Sequence, residues 1–578
     1  MPSKSLFGLL RCLSGALALG VCLSACSTSH YRKSADKEVS HVIGQKTPKV
    51  PGMEADFTIE QTNVLSLSGL PISTNEAGFL GSRAGVEDGA PVLSLEKALE
   101  LAVNGSRIYQ SRKEQVFLSA LDLTLARHQL TPLLSSSGTA DYEVNTVSVL
   151  EPRVDPVTGQ LQPVLSDSLV ERNSVRANGS VNASWLIRDV GRITTAFTTD
   201  FFRFVRGNPS TIGESQLGAT FLRPLWQNAN FKTEMENLTL AERGLLYAMR
   251  EYTRFRKQFT VDVASAYYRV LQSRDTVRNT YLGYQNFKRS ADRTRALVNE
   301  GRVKLAELGR LEQQELSQET AWVAAERNYL LALDNFKLQL GLSTDVRLVM
   351  DQKELERLTI LDPKISVEDA IKVALAARPD LQNLREQHED TQRAIAVAAS
   401  RLKPQVDLIA SAGFQSKQEN ATRLAVPDIN RYQWSAGLNV DPGLDRKAER
   451  NAYRTALIRH EQSARALTEA EDTTKLQVRE DLRILEQDKR SYENSELGVK
   501  LAERRLEEQN LLAEVGRGRA QDQVDAQNDL TAAKNQRTQA LVEHTTARLR
   551  FWEHLGILFI QPNGQFQEIS DANQIRIP

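Results

Sequence analysis

Cysteine is almost missing from this chain of 578 residues: Cys12, Cys22 and Cys26 are all there are, and they crowd the first 26 positions. A disulfide framework is therefore excluded for everything downstream, which has to hold together by packing. Neither sign of charge is in excess, with 73 Lys and Arg against 73 Asp and Glu, so the electrostatic footprint of a nucleic-acid binder is absent. Aromatic residues make up only 6% while 25% of residues are charged, which suits long helices with mixed-charge faces better than one large compact core. No apolar run is long enough for a transmembrane helix, so if the chain enters a membrane it does so as strands. Proline is missing from two long stretches, 225–362 and 443–561, which frees both to run as helix.

These two stretches are copies of one another. The first reverses at Glu300-Gly301 and ends at Leu340-Gly341-Leu342; the second reverses at Glu514-Val515-Gly516 and ends at Leu555-Gly556-Ile557. Because 516 − 301 = 215 and 556 − 341 = 215, the returning arms are in register without a gap. Upstream, Leu93-Ser94-Leu95-Glu96 is echoed by Ile365-Ser366-Val367-Glu368, and Leu130 and Pro132 by Leu402 and Pro404, all at an offset of 272. The chain reads as a tandem duplication, each copy a short helix, an irregular middle and a long helical hairpin. The expected divisions are a leader over 1–25, a tether over 26–91, repeat 1 over 92–341, a connection over 342–364, repeat 2 over 365–556 and a tail over 557–578.

At the N-terminus, Lys4 and Arg11 precede a short apolar region that ends in Leu23-Ser24-Ala25-Cys26. This has the layout of a processed leader. The tetrapeptide resembles the bacterial lipoprotein box, which implies lipidation of Cys26. Leu19-Gly20-Val21-Cys22 is a poorer competitor, and ordinary secretory cleavage near Ala25 is the alternative. Residues 27–91 are rich in Ser, Gly, Thr and Pro and read as an extended tether without chemistry of its own. Ser94 then caps a helix expected to carry Leu95, Ala98, Leu99, Ala102, Leu121 and Leu125 inward and to stop before Pro132.

The irregular middle is clearest in repeat 2. Residues 405–415 alternate, with Val406, Leu408, Ala410, Ala412 and Phe414 on one face, and 432–441 alternate with Tyr432, Trp434, Ala436, Leu438 and Val440 against Gln433, Ser435, Gly437, Asn439 and Asp441. Each has about the 9 to 11 residues of a tilted membrane strand, and an apolar face opposite small polar residues fits a barrel with lipid outside and water inside. A soluble hairpin alternates identically. Repeat 1 is longer here by 57 residues, since 301 − 132 = 169 and 516 − 404 = 112, and two further alternating runs, 175–187 and 193–204, occupy the surplus. They are either additional barrel strands or a hairpin standing outside the wall. Beyond Pro224 and Pro442 each copy continues as a rod of about 75 residues, roughly 110 Å at ~1.5 Å per residue, with Phe255, Phe259, Val263, Ala266 and Val270 as the seam that needs neighbours.

The lipobox, the duplicated units and the tip sequences together resemble the TolC-like outer membrane efflux protein family, over essentially the whole mature chain. The most specific stretch is Glu514-Val515-Gly516-Arg517-Gly518-Arg519-Ala520-Gln521-Asp522-Gln523-Val524-Asp525-Ala526-Gln527; the first tip, Val298-Asn299-Glu300-Gly301-Arg302-Val303-Lys304-Leu305-Ala306-Glu307-Leu308, is looser. The resemblance implies a mainly α fold with a membrane β-barrel. Three protomers pool their strands into one barrel, and their long helical hairpins form an α-helical tunnel. It further implies a homotrimer partnered by a periplasmic adaptor and an inner-membrane pump of RND or ABC type, held in outer membrane lipid, with no nucleic acid, no metal and no cofactor besides the lipid on Cys26. Gly301, Arg302, Val515 and Gly516 are then the adaptor-contact tips.

In the same family Asp522 and Asp525 fall where acidic rings stand at the tunnel mouth. Their i, i+3 spacing puts both on one helix face, and threefold symmetry brings six carboxylates together, raising some of their pKa values by repulsion and favouring cations. Two solvated aspartates on an outer face are the plain alternative. Where the family commonly has an Arg two residues after the tip glycine, this chain has Gly518 between Arg517 and Arg519, and the family's partner Asp in the first tip corresponds to Glu307. Either the closing ion pair is missing or it has shifted.

Other constellations are weak. The seven histidines never pair at metal-binding spacing, Gly516-Arg517-Gly518 lacks the third glycine of a nucleotide loop, and no nucleophile, base and orienter set supports an enzyme. Arg250, Arg254, Arg256 and Lys257 make a basic run of the kind that usually coats a solvated helix face. Three readings follow: a passive trimeric efflux or export duct, a type I protein secretion duct of the same fold, and a lipid-anchored periplasmic coiled-coil spacer or adhesin.

Overall fold

A computed structural model describes residues 27–55, 57–60, 67–73, 77–154, 159–206, 211–417, 419–420, 426–514, 517–561 and 563–567. In chain order it contains α1 (Thr28–Lys46), β1 (Val92–Leu93), α2 (Leu95–Gly105), α3 (Arg107–His128), β2 (Leu133–Val154), β3 (Leu161–Ile187), β4 (Gly191–Arg206), β5 (Thr211–Pro224), α4 (Lys232–Asn299), α5 (Leu305–Leu340), β6 (Val349–Met350), α6 (Gln352–Glu356), α7 (Val367–Ala377), α8 (Pro379–Arg401), β7 (Gln405–Gln415), β8 (Glu419–Asn420), β9 (Asp428–Asp441), α9 (Lys447–Glu514), α10 (Ala520–His554), β10 (Phe559–Ile560) and β11 (Phe566–Gln567). The two long helices, α4 and α9, have 68 residues each. The chain packs as two compact units that both draw on its two halves, one of residues 1–120, 244–387 and 464–578, the other of 121–243 and 388–463.

In the first unit, Ser94 and Ser366 cap α2 and α7 by accepting from the backbone N–H three residues on. Each helix is shorter than its apolar pattern suggests. The helix expected to run unbroken toward Pro132 is interrupted at Ser106, and its counterpart at Arg378, both in extended backbone. The residue before a proline avoids the helical region, so Arg378-Pro379 had carried the signal. Beyond the break the buried face of α3 is Val116, Ala120 and Leu123, while Leu125 is exposed.

The returning helices end at Gly341 and Gly556, which close against those breaks. Both have positive φ, and a Cβ on Gly341 would sit inside contact distance of the Gly105 carbonyl, as one on Gly556 would crowd Ala377. The seam of α4 is wider than one stripe. Phe259, Val263 and Val270 are buried, but so are Val261, Ala264, Ser265, Tyr267 and Tyr268 around the circumference, because non-helical segments cover it as well as helices. Tyr267 donates to the Leu93 carbonyl at 2.9 Å. A cluster of Val261, Ala374, Val478, Leu549, Trp552 and Leu558 joins α4, α7, α9, α10 and the residues after them.

Two expectations are corrected here. The stretch after residue 26 is not extended throughout: Thr28–Lys46 is helical, capped by Ser27 and buried through Val39, Val42 and Ile43, an i, i+3, i+4 signal hidden among polar residues. Further on, Glu54 and Glu87 reach into the helices. Nor does the basic run of α4 coat a solvated face. Arg250 pairs with Glu386 at 2.7 Å, Arg254 with Asp380 at 3.0 Å and Arg256 with Glu54 at 3.3 Å, and Lys257 donates to the Gly556 carbonyl at 2.6 Å. Burial lowers the Lys257 pKa to about 8.

His544 of α10 is fully buried, and neither ring nitrogen has a hydrogen-bond partner among the described residues. Burial and then the Arg548 charge hold its pKa below the usual imidazole value, with Asp362 at 3.8 Å opposing. The folded pKa is depressed, so the unfolded chain binds the proton more readily. Stability is complete above the unfolded value of 6.5 and is lost as pH falls below it toward the folded value. We expect thermal stability to decline below pH 6.5 by up to about 1.4 kcal/mol per pH unit from this group, and the decline to flatten in His544→Leu.

The second unit holds the sheet. Its strands pair antiparallel in the order β2-β3-β4-β5-β7-β9, with β8 extending the pairing of β5. Below the strand ends, Arg243 pairs with Asp390 at 2.8 Å, Arg393 with Glu236 at 2.9 Å and Arg127 donates to Glu242 at 2.8 Å. The expectation that helix follows Pro224 directly is corrected. After β5 ends the chain first passes through Asn228, Asn230 and Phe231, all at positive φ, and α4 starts at Lys232. Phe231 is buried there, and Thr233 donates to the Asn228 side chain at 2.8 Å, which holds the turn.

Candidate functional site

Two regions carry candidate function, one in each unit. The first is the sheet, whose register decides what each face offers. Tyr142 pairs with Val175, Ala177 with Phe201, Phe197 with Leu217, Leu217 with Phe414 and Phe414 with Tyr432. Directly paired residues share a face, so one surface carries these side chains together with Trp185, Trp434, Leu438 and Val440. Trp434 is 74% exposed, Tyr432 68% and Leu438 62%, an apolar belt without cover in the single chain.

The opposite surface pairs Ser137 with Ser180, Thr198 with Gln216 and Ser411 with Ser435. It is concave, with a hollow of about 620 Å³ lined by Ser137, Asn178, Thr198, Asp200, Glu214 and Gln216 among others. Arg176 and Asp200 face one another across it at 3.4 Å. The strands at 175–187, 193–204, 405–415 and 432–441 were legible from alternation. The observed β2, the first half of β3, and β5 were not, because polar, small and apolar residues mix there without strict alternation.

The second region is where the helical hairpins reverse. Gly301 sits at φ 73°, the left-handed value the turn requires, and Arg302 is exposed and 3.5 Å from Glu300. Gly518 is required for a different reason: a Cβ there would lie 2.7 Å from the Ala513 nitrogen, where the chain doubles back and the N–H groups of Arg517 and Gly518 both donate to the Leu512 carbonyl at 2.9 Å. An arginine at that position has no room. Arg517 and Arg519 are exposed, and the latter is the residue preceding α10. Asp522 and Asp525 are both half-buried in the first turns of α10, flanking the buried Val524, and Asp525 accepts from Gln521 at 2.9 Å. Cys26, Val515 and Gly516 lie outside the described residues.

The structure brings the two hairpin ends together, which sequence reasoning did not. Phe287, Ala291 and Leu311 of α4 and α5 pack with Ala520 and Val524 of α10, and Arg293 pairs with Glu514 at 3.5 Å. Farther in, Gln318 of α5 donates to Asn528 of α10 at 2.8 Å, and within the second hairpin Lys534 pairs with Glu503 at 3.4 Å. Among the described residues Glu307 makes no ion pair with Arg517 or Arg519, and one of its carboxylate oxygens is buried with no hydrogen-bond partner among them. No group of three or more His, Cys, Asp or Glu among the described residues is placed to hold a metal ion, and no described helix is long and apolar enough to cross a membrane.

No protein-family profile matches the chain, and no curated protein is detectably similar in sequence. Solved structures are similar. The outer-membrane channel OprN matches with TM-score 0.57 at 13% identity, over 88% of this chain and 97% of its own. The chain has the TolC-like outer-membrane channel fold. CusC, a protein described as forming a transmembrane channel, matches with TM-score 0.59 at 12% identity over 80% of this chain and 92% of its own. The Campylobacter jejuni outer membrane channel CmeC matches with TM-score 0.57 at 13% identity over 87% and 94%. At such identities the likeness is one of fold, and it comprises mostly helix together with one antiparallel sheet.

Proposed function

We propose that the protein is a homotrimeric outer membrane channel of a tripartite efflux or export system. It is built from two copies of one helix–strand–hairpin unit and anchored by lipid on Cys26. The observation that carries this reading is the sheet register: one face on which apolar side chains predominate, broken only locally by Thr195, Thr199, Arg203 and Ser215, and one mainly polar face, with no strand partner on either outer edge among the described residues, is what a wall shared between protomers and standing between lipid and water requires. A spacer or adhesin has no use for such a surface. The channel makes and breaks no bond; a pump of RND or ABC type in the inner membrane supplies the energy, and an adaptor meets the tips around Gly301, Arg302, Val515 and Gly516. Solved channels of this fold support the reading. A type I protein secretion duct uses the same geometry and differs in its pump.

At the tips, Asp522 and Asp525 from three protomers form the acidic mouth, with Glu307, Arg517 and Arg519 near it. In planar bilayers we expect the double variant Asp522→Asn, Asp525→Asn to conduct with a cation preference several-fold weaker than wild type, read from reversal potentials across a salt gradient. The difference shrinks toward 1 M salt, where the Debye length is only about 3 Å. Pores indifferent to both substitutions keep the duct and remove the acidic mouth; a well-folded protein that never conducts removes the duct.

A further inference from the structure

The repeat plan supplies two strands per copy, hence four per protomer and twelve in a trimer. The sheet has six. We propose that all six strands of each protomer stand in the shared wall, so that three copies of this chain close an 18-stranded barrel with a wide aqueous lumen. The inference rests on the trimeric reading above and goes beyond it in the construction of the wall and in what the wall lets through.

Three observations carry it. First, β3 and β4 are integral to the sheet rather than appended to it. They pair with each other from Ile187↔Gly191 to Asn173↔Arg206, while β3 pairs outward with β2 from Leu133↔Ser184, and β4 pairs with β5 from Arg192↔Leu222 to Arg203↔Thr211. A hairpin standing outside the wall would leave β2 to pair with β5, and it does not. Second, the inserted strands keep the phase of the others. Val175, Ala177, Val181 and Ala183 of β3 and Phe197 and Phe201 of β4 lie on the face of Leu217, Phe414 and Trp434, whereas Asn178, Ser180, Thr198 and Asp200 lie on the polar face. A slip of one residue at any junction would have turned an inserted strand inside out.

Third, the edges fit a copy of the same chain. Strands alternate in direction along the sheet, and six is even, so the first strand, β2, and the last, β9, run oppositely and each has one edge without a strand partner among the described residues. Head-to-tail addition of β9 from one protomer to β2 of the next continues the antiparallel pattern and, under threefold rotation, closes it. The 14 residues of β9 are fully accommodated along the 22 of β2. The surplus of β2 continues with β3 as a two-stranded ribbon, paired from Thr146↔Glu171 to Val154↔Leu161 beyond the last β3–β4 pair and on the side away from the helices.

Barrel diameter grows roughly linearly with strand number. With strands about 4.8 Å apart and tilted about 40°, eighteen strands enclose a wall roughly 36 Å across between backbones, against roughly 24 Å for twelve. Side chains on the polar face are mostly small, so the lumen passes bulky hydrated cargo, and size selection is left to the helical tips.

The test is cryo-electron microscopy of the full-length protein in detergent, combined with cysteine trapping. We expect a closed wall of 18 strands. We also expect Thr139→Cys to form a disulfide between protomers with one of Gln433→Cys, Ser435→Cys or Gly437→Cys, and no disulfide within a chain between Thr139→Cys and Gln216→Cys. A twelve-stranded wall with residues 161–206 outside it, or the intrachain disulfide, overturns the inference while leaving the trimeric channel intact. Monomers, or assemblies without a closed wall, overturn the channel reading itself.

Discussion

Arg274→Met is expected to cost the fold about 3 to 5 kcal/mol, the range for removing one partner of a buried ion pair. Arg274 is 7% exposed on α4, and its Nε and Nη2 donate to the Glu87 carboxylate at 2.9 and 2.7 Å. Its Nη1 donates to Gln352 at 2.8 Å, and Tyr329 of α5 donates to Glu87 at 2.6 Å. Burial raises the Tyr329 pKa well above the phenol range, with the Glu87 charge adding to it, so the hydroxyl remains a donor at any physiological pH. Without the guanidinium, Glu87 is a buried anion held by one phenol. Thermal unfolding followed by circular dichroism should show the loss, and Glu87→Gln combined with Arg274→Met should recover much of it, because the double variant leaves no unpaired charge. Equal melting of the single and double variants would show that the pair contributes packing and not charge.

The second large effect distinguishes the two faces of the sheet. Ala410 lies on the apolar face, paired with Phe221 and Ala436, and its neighbour Ser411 lies on the polar face, where its hydroxyl is 2.7 Å from that of Ser435. In a wall that faces lipid, Ala410→Arg places a cation near the bilayer midplane at a cost of about 2 to 4 kcal/mol. Ser411→Arg points into water and should cost little, while lowering the cation preference of the pore. Urea unfolding of the protein assembled in liposomes reads the first, and conductance the second. If the two substitutions destabilise equally, the face assignment fails.

How much of this was legible from sequence depends on the kind of signal. Helical hairpins, their reversal at Gly301 and their ends at Gly341 and Gly556 follow from missing prolines, an internal offset and glycines at positions that need positive φ. Strands 405–415 and 432–441 announce themselves by strict alternation, since the side-chain period of a strand is two. All of these are local properties, set within a turn or two of the backbone.

Pairing over distance is not local, and it decided the rest. Whether Val175 and Phe201 belong to the large sheet depended on which strands β3 and β4 met, and alternation is the same for a sheet interior and for a free hairpin. The basic run of α4 looked solvated because its partners, Glu54, Asp380 and Glu386, lie some 120 to 200 positions away in sequence. Arg293 found Glu514 only because the two hairpins fold back onto one another. Composition and periodicity determined the long helical hairpins and the strictly alternating strands of this protein and their order. Tertiary structure alone decided which charges were neutralised and how many strands share one sheet, because both depend on distances between residues that the chain order leaves free.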